Sequence, residues 1–167
     1  MTKANGINLN CKRNKARPYW LMPFVIREKI IVYICISKKS KEMNCPCCSG
    51  KTYEECCKPF HKGEKHAPTA EALMRSRFSA FAIPNGKYLM ETTSPSKRQF
   101  HNTKDLQQWG EINEWTNLEI VNKPSLSKVE FKAFYTDEDG QKQVHHELSK
   151  FKMIQNRWYY VSGKFLE

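Results

Sequence analysis

An α+β fold is predicted by a change of period along the chain. Between residues 69 and 112 the apolar positions recur at helical spacing, whereas from Trp115 onward they alternate every second residue. Helices first and an antiparallel meander afterwards place the helices on one face of a sheet, and a curved sheet leaves a hollow beneath them. Ahead of both lies a cysteine-rich segment, Asn44 to Cys57, reading NCPCCSGKTYEECC.

The charge is uneven. The 167 residues carry a formal +11, but residues 1–42 hold ten Lys/Arg against two Glu and the remainder eighteen against fifteen. The basic balance therefore belongs to the N-terminal stretch, which attracts polyanions without specificity. Its aromatics do not interleave with the basic residues in a recognisable module, which argues against nucleic-acid binding. Two apolar runs, Tyr19 to Ile26 and Ile30 to Ser37, are split by Arg27, Glu28 and Lys29. A membrane span of about 20 apolar residues would bury that triplet at its centre, so no span is expected. Lys38, Lys39 and Lys41 stand where a secretory signal needs small residues. Met43 is the expected start, with residues 1–42 a non-native or disordered extension. A cytoplasmic, reducing location follows, in which clustered cysteines bind metal rather than form disulfides.

The cysteine segment spans the expected knuckle, residues 43–64. Cys45-x-Cys47 and Cys56-Cys57 flank Ser49-Gly50-Lys51, a turn signal whose glycine accepts positive φ. Thiolates at both ends of so short a loop can close on one Zn²⁺ at about 2.3 Å. Five cysteines stand in fourteen residues, one more than a tetrahedral ion takes. Lys51, Lys58, Lys62 and Lys65 are near enough in sequence to offset the net −2 of a four-thiolate site. Four protein thiolates leave no position for water, so the expected metal is structural and not catalytic.

Residues 65–167 form the expected main domain. Thr69 is the N-cap of a first helix, Glu71 supplies first-turn negative charge, and Leu73, Met74, Phe78 and Phe81 share a stripe before Pro84 and Gly86 stop it. A short helix follows over Lys87 to Thr92 and another over Lys104 to Ile112. Strands are expected at Glu114 to Val121, Lys128 to Thr136, Gln143 to Ile154 and Arg157 to Gly163, with turns at Asp137 to Gly140 and Gln155-Asn156.

Cys45, Cys47, Ser49, Gly50, Tyr53, Cys56 and Cys57 resemble the SEC-C motif, the zinc knuckle found at the end of the bacterial preprotein translocase motor. That resemblance implies Cys45, Cys47, Cys56 and Cys57 as ligands of a structural Zn²⁺, and puts Cys48 where the motif usually has glycine. EALMRSRFSAF, YLMETT, EWTNLEI, HELSKF and NRWYYVSG are similar to successive motifs of the YchJ family, in which a SEC-C knuckle precedes an NTF2-like domain. The implied architecture is an NTF2-like cone of helices packed on a curved antiparallel sheet. Ser94 stands where relatives tend to have histidine, and the second knuckle that many relatives carry is not found after the fourth strand.

The resemblance implies a protein partner of export-chaperone or ribosome type, met through the knuckle and a basic patch around Lys51, Lys58 and Lys62. The competing reading is a small-molecule binder or enzyme using the hollow. Its candidate polar residues are Arg75, Arg77, Tyr88, Trp115, His146 and Glu147. His146 and Glu147, adjacent on a strand, point to opposite faces, so at most one enters. Arg75 and Arg77 lie about 200° apart around their helix, which rules out a joint clamp; one is expected to anchor helix to sheet and the other to face water. Packing alone accounts for Trp115, Trp158, Tyr159 and Tyr160, and no catalytic residue is assigned.

Overall fold

The computed structural model describes residues 43–167; the expected extension, residues 1–42, lies outside the described residues. The elements are α1 (Lys58–His61), α2 (Ala70–Ala82), α3 (Gly86–Glu91), a 3-10 turn (Pro95–Phe100) and α4 (Thr103–Ile112), then β1 (Glu114–Ser125), β2 (Lys128–Thr136), β3 (Lys142–Ile154) and β4 (Arg157–Phe165). Among these residues no helix is long and apolar enough to cross a membrane.

Local chemistry sets the ends of the helices. The Thr69 side chain accepts from the Ala72 amide at 3.0 Å and caps α2, with Glu71 in the first turn. Asn85 caps α3 through the Tyr88 amide and Asn102 caps α4 through that of Lys104. Two short elements departed from expectation. Four residues cannot show a helical period, so α1 read as loop, although Pro59 near its start needs no N–H partner there. The 3-10 turn, opening on Pro95, was missed for the same reason.

The four strands form an antiparallel meander in the order β1-β2-β3-β4. Gln155 and Asn156 both take positive φ, 47° and 58°, the conformation of a two-residue hairpin turn whose twist matches its strands. β1 runs four residues past its expected end, through Pro124. It is an edge strand, where a residue without N–H is tolerated. Along β2, Val129, Phe131 and Ala133 turn inward as the alternation predicts. They meet Leu73, Met74, Phe78, Leu89, Leu118 and Phe151 in one core between α2 and the sheet.

α2 is buried on more sides than its apolar stripe predicts. Ser76 and Ser79 are both fully buried, because the knuckle covers that face of the helix while the sheet covers the other. The end of α3 is tied to β4: Ser94 N donates to Tyr160 O at 2.7 Å and Tyr160 N to Thr92 O at 2.9 Å. One helix thus lies between two sites, a cysteine cluster outside and a hollow inside.

Candidate functional site

The knuckle is a hairpin closed by backbone bonds, Cys45 N to Lys51 O and Tyr53 N to Met43 O, each 2.8 Å. Two left-handed residues turn it, Gly50 at φ 75° and Cys48 at φ 58°. The second is a non-glycine residue, and its Cβ makes that conformation costly.

This turn brings four thiols together. The Sγ atoms of Cys45, Cys47, Cys56 and Cys57 all lie within 4.8 Å of one another. Cys47 and Cys56 are 3.5 Å apart and Cys56 and Cys57 3.8 Å, against the roughly 3.8 Å between thiolates of a tetrahedral ion bound at about 2.3 Å. The group can hold a metal ion. Cys48 is not part of it: its thiol donates to the Pro46 carbonyl and to Asn117 Oδ1, both at 3.3 Å.

Crowding sets the protonation. The thiols of Cys45 and Cys57 donate toward Cys47, holding the Cys47 thiolate well below the ordinary range. The bond to Cys47 pushes Cys45 up to about 11, and bonds to Cys45 and then Cys47 hold Cys57 well above its usual value. One thiolate is accommodated by its neighbours' protons, and only a cation can take the charge of all four. Ser49 Oγ, 3.2 Å from Cys56 Sγ, supports the cluster from outside.

The cluster is bolted to α2. Arg75 Nη1 donates to the Cys47 carbonyl at 3.0 Å and Nε to Glu71 Oε1 at 2.9 Å, while Lys123 Nζ holds the other Glu71 oxygen at 2.9 Å. His61 makes a second link. Its Nε2 lies 2.8 Å from the Ser76 carbonyl, which can only accept, so Nδ1 is the acceptor for the Tyr53 hydroxyl at 2.9 Å. Burial pushes the His61 pKa down, consistent with this neutral tautomer. His61 was overlooked in the sequence because it sits in a stretch read as loop. Its spacing from the motif tyrosine, Tyr53, was the available signal.

Behind α2 is a cavity of about 160 Å³. Of the six candidate pocket residues, Arg77, Trp115 and Glu147 line it. Arg75 faces the knuckle instead of water. Tyr88 is buried elsewhere, its hydroxyl 2.7 Å from Ser76 Oγ and its ring 4.6 Å from that of His61. His146 lies on the opposite face of β3, bonded to Glu130 Oε1 at 3.0 Å, so the pocket residue of that pair is Glu147. The alternation that excludes His146 brings in its neighbours His145 and Ser149, which the sequence reading passed over.

Glu147 is locked in place. Oε1 accepts from Ser149 Oγ and Oε2 lies 2.9 Å from His145 Nε2. A Cβ at position 163 would collide with this carboxyl, so Gly163 makes its room. The carboxylate sits between serine and histidine, so His145 is not placed to draw the proton from Ser149, and the trio is not a nucleophile triad. Trp115 packs among Phe78, Phe81, Trp109 and Tyr135, and its buried Nε1 has no oxygen or nitrogen partner among the described residues.

Comparison with known proteins places both parts. Residues 69–163 match the model of the middle, NTF2-like domain of YchJ. A UPF0225 protein of Haemophilus influenzae is 43% identical over 122 residues, covering 71% of this chain and 75% of that protein. One from Geobacter sulfurreducens is 38% identical over 125 residues, covering 71% and 77%. The solution structure of a SEC-C motif containing protein from Rhodopseudomonas palustris superposes with a TM-score of 0.68 at 37% identity, over 75% of this chain and all of that one. The crystal structure of another from Psychrobacter arcticus gives 0.64 at 34% identity, over 74% and 82%.

Proposed function

The chain belongs to the YchJ family, and from that premise we propose that it is a zinc-ordered protein-interaction module. Cys45, Cys47, Cys56 and Cys57 hold a structural Zn²⁺. The ion fixes the knuckle on the NTF2-like domain, and the exposed turn Cys48 to Lys51 meets an acidic surface on a partner of chaperone or ribosome type. The observation that carries this reading is the thiol cluster: four Sγ within 4.8 Å, from cysteines that are buried except for the half-buried Cys56. Four such ligands fill a tetrahedral ion and leave the metal no place for substrate. The SEC-C motif named for both solved relatives supports zinc as the ion.

The surface offered to a partner is smaller than the lysine-rich sequence suggests. Lys58 pairs with Glu54 and Lys62 lies 3.9 Å from Glu64. Lys51 and Lys65 are exposed and make no ion pair among the described residues, so they supply the free positive charge. Charge complementarity of this kind sets association rate and specificity more than affinity.

The test is co-sedimentation of the zinc-loaded full chain with purified ribosomes, and its titration against a purified export chaperone. Binding that falls with salt, weakens in Lys51→Glu/Lys65→Glu and disappears in Cys56→Ser/Cys57→Ser is expected. Retained binding by the double cysteine variant would sink the reading.

A further inference from the structure

We infer that the cavity between α2, α4 and the sheet is a binding site for a compact monocarboxylate, with Arg77 as the group that receives its carboxylate. The inference rests on the cavity and stands apart from the proposed role of the knuckle.

Arg77 is only 9% exposed and is one of the residues that line the cavity. Its hydrogen bonds all leave from one nitrogen: Nη1 donates to Leu89 O and Thr92 Oγ1 at 2.7 Å and to Thr93 Oγ1 at 3.4 Å. These acceptors are neutral. The guanidinium carbon lies 4.6 Å from the centre of the Tyr160 ring, a further contact that carries no full negative charge. Among the described residues Nε and Nη2 have no hydrogen-bond partner, and no carboxylate comes within 4.0 Å of the group. Glu147 supplies a countercharge only through space, so the Nε and Nη2 donors still lack an acceptor, which a ligand carboxylate in the cavity would provide.

The cavity's own carboxylate offsets the Arg77 charge but makes no bond to it. The Glu147 oxygens are turned to Ser149 and His145, in the room that Gly163 leaves. Arg77 therefore remains the group with donors to spare. A planar fork of two N–H groups matches a carboxylate oxygen for oxygen.

Size and walls narrow the class. A cavity of about 150 Å³ takes a benzene-sized molecule, and this one measures about 160 Å³. Phe78, Trp115, Phe131 and Phe151 line it, so the body of the ligand is apolar: a single aromatic ring or a short branched chain. Inorganic phosphate would set its remaining oxygens against these rings. His101 and Trp109, the exposed residues of the lining, mark the mouth, with Trp109 41% exposed.

The experiment is an amide-resolved NMR titration of the zinc-loaded full chain with sodium benzoate, benzamide and inorganic phosphate in parallel. Saturable shifts at Arg77, Phe131 and Ala133 with benzoate are expected, at least tenfold weaker binding of benzamide, and no such shifts with phosphate. Ala133→Leu, which fills the cavity, is expected to abolish the benzoate response, and Arg77→Lys, which keeps the charge but loses the fork, to weaken it about tenfold. Equal binding of benzamide, a phosphate response at the same amides, no saturable benzoate shift, or a benzoate response that survives Ala133→Leu would each overturn the assignment. The benzoate and benzamide comparison on the unaltered chain decides the charge requirement even where a variant does not fold.

Discussion

Arg75 and Arg77 stand two residues apart on α2 and serve opposite sides of the molecule. Arg75 is half-buried, pairs with Glu71 and grips the knuckle through the Cys47 carbonyl. Arg77 is buried, has no carboxylate partner among the described residues and holds α3 through a backbone carbonyl and two threonines. The outer arginine sits in a neutralised network that a surface can supply at little cost. The inner one feels the Glu147 charge only through space and keeps Nε and Nη2 without a partner among the described residues, donors that a ligand in the cavity can use.

The largest effect that separates the two sides comes from the metal. Removing it with a chelator, or making Cys57→Ser, is expected to unfold the knuckle at a cost of several kcal/mol, a fall of roughly 10 °C or more in Tm by calorimetry. The benzoate response of the cavity should persist in the chelated protein below its lowered melting point. If chelation leaves Tm unchanged, the cluster is not a structural metal site. If it abolishes the cavity response in a still-folded domain, the two sides of α2 are one site and the contrast is lost.

Next come the arginines themselves. Arg77→Ala removes the charged donor shared by the Leu89 carbonyl and two threonine hydroxyls, which keep only their bonds to one another and to Tyr88 O, and opens a void, an expected loss of about 3 kcal/mol. Arg75→Ala gives up a half-buried ion pair and one carbonyl contact, an expected loss of about 1 kcal/mol. Urea denaturation of both variants measures the ratio. Equal losses would mean that the knuckle face is built as tightly as the core face.

Cys48→Gly reads the knuckle from the other direction. At φ 58° a Cβ costs about 1–2 kcal/mol, and the Cys48 thiol returns only weak bonds to Pro46 O and Asn117. Part of the relief is lost to the freedom glycine gains when unfolded, so a stabilisation of about 0.5–1 kcal/mol is expected. A destabilised glycine variant would show that the Asn117 contact matters more than the backbone strain.

The two regions were not equally legible in the sequence. The knuckle is local: ligands, turn and the strained Cys48 all fall within fourteen residues, where spacing showed a metal-binding loop and the SEC-C resemblance singled out four of the five cysteines. The strands were legible because alternation along β2 and β3 is a direct record of what faces inward. The cavity was legible only in part. Arg77, Trp115 and Glu147 were on the candidate roster, but Arg75, Tyr88 and His146 were as well. What separates the two groups is the side of α2 covered by the knuckle, and the rotation of β3 that turns His145 inward and His146 outward. Both are tertiary facts. The full burial of Ser76 and Ser79, polar residues on a helix, was the least legible of all, since only docking of the knuckle explains it.

The smallest expected effect concerns acid. Lys123 and, behind it, Arg75 hold the Glu71 carboxyl below its ordinary value near 4.5. A carboxylate with a depressed folded pKa contributes stability that is complete above its unfolded pKa and is lost as pH falls through the folded one. The contribution is therefore complete at neutral pH and declines as the pH falls below about 4.5 and through the lower folded value. With Glu71 partly open to solvent, its size is expected to be about 0.5 kcal/mol. Glu71→Gln should lower stability by that amount at pH 7 and by less at pH 3, with Arg75→Ala removing part of the difference, measured by denaturation at the two pH values. Because the Glu71 bridge links Arg75 to Lys123 on β1, and not to anything in the cavity, the benzoate affinity should be unmoved by the same substitution. A changed affinity would mean that the outer network is felt through α2 at Arg77, and the helix would then be a coupling element between the two sites instead of a wall between them.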